Sequence, residues 1–96
     1  MQAGEGILGI DISKESFDVV LRGTGGEQHR VFSNDQKGFK ALVGWAEKQP
    51  ERVVHICMEA TGSYWEGLAE ALYQGGYRVS VVNPYQIKRY GDHLLN

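Results

Sequence analysis

The stretch VVHICMEATGSYWEG (residues 53–67) decides how this 96-residue chain folds. An apolar run of strand length ends in one carboxylate, Glu59. A small-residue turn follows, and then two aromatics, Tyr64 and Trp65. Ser63 and Glu66 fit the S-x-x-E capping box, which predicts a helix over YWEGLAEALYQ, stopped by Gly75 and Gly76. A strand leading through a short turn into a helix implies a crossover and a sheet with parallel pairs.

Upstream, GILGIDIS (residues 6–13) is rich in Ile and reads as a strand buried on both faces. FDVVLRG (residues 17–23) and the alternating QHRVFS (residues 28–33) read as two more strands, the last half-exposed. The short turns between them predict an antiparallel meander. The period then changes. Asn34 or Asp35 is the expected N-cap of a helix whose buried face is Phe39, Leu42, Val43 and Ala46, closed before Pro50. Downstream, YRVSVV (residues 77–82) alternates as a fifth strand. Asn83-Pro84 then predicts a third helix from Tyr85 to the last residue. The expected order is β-β-β-α-β-α-β-α around a mixed five-stranded α/β sheet. It forms one domain, with a C-terminal end that looks cut rather than finished.

Composition narrows the function. With 42% hydrophobic and 23% charged residues the chain reads as an ordinary globular domain. No apolar run approaches a membrane span and no signal-peptide pattern opens the chain, so the cytosol is expected. The net charge of −2 argues against nucleic-acid binding by a positive field alone, although acidic residues can reach phosphates through divalent metals. The single Cys57 makes neither a disulfide nor a zinc site and reads as a buried thiol.

Two acids stand out. Asp11, between Ile10 and Ile12, occupies a strand position where an unpaired carboxylate is costly to bury. Pairing with Lys14, or with the turn that follows, is the plain alternative to a functional role. Glu59 ends the fourth strand, which can lie beside the first. Two carboxylates on neighbouring strand ends repel unless a cation lies between them, and hard Mg²⁺ or Mn²⁺ prefers such ligands. Other motifs carry less. Gly4-Glu5-Gly6-Ile7-Leu8-Gly9 spells G-x-G-x-x-G but enters a strand rather than opening a helix, so it is no dinucleotide fingerprint. His29, His55 and His93 lack ligand spacing. Asp18 fits a strand face and Asp35 a helix cap. Tyr64 and Trp65 suit either base stacking or helix packing. Lys14, Lys88 and Arg89, with Arg78 and Tyr90, are candidate phosphate contacts or solvated surface.

GIDISKESFDVVL, FSNDQKGFKAL, MEATGSYWEGLAEAL and VNPYQIKRYG, in this order, resemble the N-terminal part of a family of bacterial insertion-sequence transposases. This is the group with a RuvC-like DEDD catalytic domain, the IS-one-ten group, related to the Piv-type DNA invertases. The resemblance implies a ribonuclease-H-like (RuvC-like) fold and four acids that bind two divalent metal ions for DNA strand cleavage and transfer. Asp11 matches the first acid and Glu59 the second. The third and fourth belong to a K-T-D-x-x-D-A block beyond Asn96, and Asp92 lacks its flanking pattern. The resemblance also implies a C-terminal domain with a serine nucleophile, a guide RNA in part of the group and homo-oligomeric assembly. Residues 1–96 are thus expected to be a fragment inactive alone. An actin-like ATPase or sugar kinase fragment, and a non-catalytic protein-binding module, are the competing readings.

Overall fold

The computed structural model describes residues 4–59, 62–82 and 87–89. Its elements are β1 (Glu5–Ile12), β2 (Ser16–Gly23), β3 (Gly26–Ser33), α1 (Gln36–Glu47), β4 (Arg52–Glu59), α2 (Glu66–Gln74), β5 (Val79–Val82) and β6 (Ile87–Arg89). The strands form one mixed sheet in the order β3-β2-β1-β4-β5-β6. β1 pairs antiparallel with β2 and parallel with β4, and β5 joins β4 in parallel. The five expected strands are present, with β6 added at the edge, antiparallel to β5. It lies inside the span read as a third helix. At residues 87–89 the backbone takes the hydrogen bonds offered by the open edge of β5 instead of helical ones. The remainder of that expected helix lies outside the described residues.

Both helices pack on one face. Leu8, Ile10 and Ile12 of β1 and Phe17, Val19 and Leu21 of β2 point to that side. They meet Ile56 and Met58 of β4, Phe39 and Leu42 of α1, and Leu68, Ala69 and Leu72 of α2. Phe17 lies at the centre, with ring centroids 5.6 Å from Phe32 and 6.2 Å from Phe39. The expectation that β1 is buried on both faces is corrected. Its residues alternate, and Ile7 on the second face is 50% exposed, because neither described helix covers that side. Cys57 falls on this second face and is half-buried rather than enclosed in the core.

β5 departs from its alternating sequence as well. Val79, Ser80 and Val81 are all buried, and the Ser80 hydroxyl lies 2.7 Å from Nε2 of His55. The hydroxyl is thereby satisfied inside the sheet, as a buried polar group must be. That contact also makes His55 a tie between β4 and β5. At the sheet end where β1 begins, Glu51 is buried beside Gly6 and Gly23, and its Oε1 has no hydrogen-bond partner among the described residues.

The capping box does not form. α2 begins at Glu66 with Trp65 at the N-cap position and no side-chain cap bond. The Trp65 indole N–H instead donates to the Gly62 carbonyl at 3.0 Å, and its ring packs on the core. Closing the turn through the indole draws Trp65 into the cap position and leaves Ser63 outside the helix. The cap of α1 follows the sequence: the Asp35 carboxylate accepts from the Gly38 N–H at 2.8 Å and from the Ser33 hydroxyl at 2.8 Å.

Candidate active site

β1 carries an acid one residue before its end and β4 ends in one, and their parallel pairing aligns the two. Asp11 is the register partner of Glu59. Neighbouring strands lie about 4.8 Å apart, so the two carboxylates leave the same edge of the sheet side by side. Both are exposed. Asp11 is therefore not the buried charge its apolar neighbours suggest. Ile10 and Ile12 point into the core and the pleat turns Asp11 to the opposite, open face.

A third acid joins this row. The β1–β2 hairpin sets Asp18 opposite Asp11, giving Asp18, Asp11 and Glu59 on three adjacent strands. The sequence reading left Asp18 as a strand-face residue. The signal that finds it is the hairpin itself, since a turn centred near Lys14 puts residues 11 and 18 in register. Asp18 is already engaged, its Oδ1 lying 3.2 Å from Nε2 of His29, which β3 presents on the same face. Among the described residues no group of three or more His, Cys, Asp or Glu side chains is arranged to hold a metal ion. Asp11 and Glu59 supply two hard oxygen donors in an open setting. That set suits an octahedral cation completed by water and phosphate oxygens, but it is incomplete by itself.

Three more features converge on this edge. β3 runs in the same direction as β1, with β2 between them, so α1 starts at this end, and α2 starts here after β4, directing two helix N-termini to the same side. The Asp35 carboxyl at the first of these is held below the ordinary carboxylate range, chiefly by the Gly38 N–H and next by the Ser33 hydroxyl. Lys14 stands exposed in the β1–β2 turn, and Tyr64 is 48% exposed in the loop before α2. Trp65 divides from Tyr64 here, since its ring is engaged with the core. Lys88 and Arg89 belong to β6, two strands from Glu59, where only the backbone is described.

Comparison with known proteins bears on this arrangement. Residues 8–96 match the family model for DEDD transposases of the IS110 group, described as Transposase. The chain is 38% identical over 89 residues to a pilin gene-inverting protein of Moraxella bovis, and equally so to that of Moraxella lacunata. Each match covers 91% of this chain but 28% of the relative, so the chain spans little more than a quarter of the length of these curated relatives. Among solved structures it resembles YeaZ from Pseudomonas aeruginosa, with a TM-score of 0.56 and 14% identity over 82% of this chain and 45% of that one. It also resembles T. thermophilus RuvC in complex with a Holliday junction substrate, with a TM-score of 0.51 and 13% identity over 83% of this chain and 65% of that one. At such identities the likeness is one of fold, and it agrees with a RuvC-like α/β sheet. With the family match running from residue 8 to residue 96, the chain belongs to the IS110 group of DEDD transposases.

Proposed function

We propose that this chain carries one half of the metal-binding centre of a DNA recombinase, with Asp11 and Glu59 as its ligands. The observation that carries the proposal is their register pairing at the ends of two parallel strands. The relatives' name, pilin gene-inverting protein, supports DNA as the substrate. A Mg²⁺ or Mn²⁺ ion held there would act as a Lewis acid on a DNA phosphate and lower the pKa of bound water. The chain's own residues orient that chemistry. Asp11 and Glu59 fix two coordination positions from a rigid sheet, and their mutual repulsion favours a cation between them. Lys14 and the exposed Tyr64 flank the edge as contacts for the phosphate backbone and an unstacked base. Lys88, Arg89 and Trp65 are secondary candidates for nucleic-acid contact.

The complete recombinase would add the remaining acids and a serine nucleophile. It would act in the bacterial cytoplasm as a homo-oligomer, with a structured guide RNA as a further partner. No helix among the described residues is long and apolar enough to cross a membrane. The 96 residues alone are expected to bind metal weakly and to cleave nothing.

Mn²⁺ titration by calorimetry or paramagnetic resonance tests the assignment. Asp11→Asn and Glu59→Gln should each weaken binding by about tenfold or more, since each removes one of two anionic donors. Wild-type affinity in both variants would remove the two residues from the site.

A further inference from the structure

Among the described residues, one side chain bonds to both of the loops that leave the proposed metal ligands. Ser13 and Lys14 follow Asp11 in the β1–β2 turn, and Tyr64 lies in the loop that follows Glu59. The Asn34 side-chain amide donates to the carbonyls of Ser13 at 3.1 Å and Tyr64 at 3.0 Å, with a longer contact of 3.4 Å to the carbonyl of Lys14. The Asn34 backbone N–H donates to the Glu15 carbonyl at 2.9 Å. One residue thus donates to three consecutive carbonyls of one loop and to one of the other.

We infer that Asn34 is a positioning residue, a clamp that locks the β1–β2 turn against the β4–α2 loop and thereby holds the two loops that border Asp11 and Glu59 in one arrangement. The sequence placed Asn34 with Asp35 as alternatives for capping α1. The structure gives the cap to Asp35, which leaves the Asn34 amide free to cross between the loops. The chemistry calls for a side-chain amide. All three neighbours of the amide are carbonyl acceptors, so only the NH₂ end satisfies them. An aspartate of the same shape would turn a carboxylate oxygen toward three carbonyl oxygens. β1 and β4 already pair along their length, but a ladder fixes the strands and leaves the loops beyond them to their own contacts. Groups that orient ligands from outside the coordination sphere typically change metal affinity by about 10- to 100-fold when removed.

The metal arm of the test rests on the assignment of Asp11 and Glu59, whereas the exchange arm does not. Amide hydrogen exchange would be followed in the wild type, Asn34→Ala, Asn34→Asp and a remote control, Gly23→Ala. The control crowds Glu51 at the far end of the sheet. In both Asn34 variants, exchange should rise about tenfold in segments 13–16 and 62–66 together and stay unchanged at 23–26, with Asn34→Asp at least as severe as Asn34→Ala. Mn²⁺ affinity should fall about tenfold in the Asn34 variants and stay within about twofold of wild type in Gly23→Ala. Faster exchange in only one of the two segments, or wild-type behaviour in Asn34→Asp, would overturn the clamp. So would an equal loss of affinity in the control. If wild-type Mn²⁺ binding does not depend on Asp11, the metal assignment fails, and the exchange arm still decides the role of Asn34.

Discussion

Replacing Gly38 by alanine should destabilise this protein, although helix propensity argues the opposite. Gly38 is the third residue of α1, and a glycine there costs about 1 kcal/mol relative to alanine. A Cβ at this position, however, would stand 2.6 Å from the Ser33 carbonyl carbon and 2.8 Å from Ser33 Oγ, with the carbonyl oxygen closer still. That oxygen is backbone at the end of β3, where Ser33 pairs with Ser16, so it cannot swing aside like a side-chain tip. Relief requires α1 to back away from the sheet. The displacement strains the Asp35–Gly38 cap, worth about 1 kcal/mol, and the adjacent Phe39, which is 6% exposed. Overpacking of this kind typically costs about 1–3 kcal/mol. Offsetting these losses against the propensity gain leaves a net destabilisation of about 2 kcal/mol, or a melting temperature lower by about 10 °C for a chain of this size. Urea unfolding followed by far-ultraviolet circular dichroism gives the midpoint. A midpoint at or above that of wild type would refute the close approach of α1 to β3.

Other perturbations probe the remaining claims. Met58→Ala and Cys57→Ser alter adjacent residues on opposite faces of β4. The first should cost about 2–5 kcal/mol in urea unfolding because Met58 is fully buried under the helices, and the second under about 1 kcal/mol. Similar losses would contradict the one-sided core. Glu51→Met should leave the urea midpoint unchanged or raise it, since Glu51 Oε1 is buried without a partner among the described residues and apolar replacements of such groups are often neutral or stabilising. A clear drop would mean the carboxylate has a stabilising role. Asp35 gives a pH dependence of fixed sign. Its carboxyl is depressed in the fold, so its stabilising contribution is full above the unfolded value of about 3.9 and disappears as pH falls through the lower folded value. Asp35→Asn, which caps without titrating, should flatten the acid limb of the melting-temperature profile; an unaltered limb would assign that loss to other groups.

Much of the fold was legible from hydrophobic period and punctuation. The five long strands, both described helices and the Asp35 cap follow from local pattern, because each depends on residues close together in the chain. The C-terminal reading was weaker. The helix expected from Tyr85 rested on a local signal alone, whereas the free edge of β5 paired with residues 87–89 as a strand. The same limit applies to the capping box, since Ser63 and Glu66 have the right spacing but the Trp65 indole reached the Gly62 carbonyl instead.

For the site, sequence alone picked out Asp11, flanked by Ile10 and Ile12, and Glu59, the acid that ends an apolar run. That they share a row, face the open side of the sheet and have Asp18 beside them is decided by strand register. Register is a long-range property: it matches the core faces of β1, β2 and β4 to one another, and a one-residue slip would turn each acid to the other face. Asn34 shows the same division. Its place before a helix is written in the sequence, but its bond to Tyr64 spans 30 positions and exists because two loops meet where β1 and β4 end together.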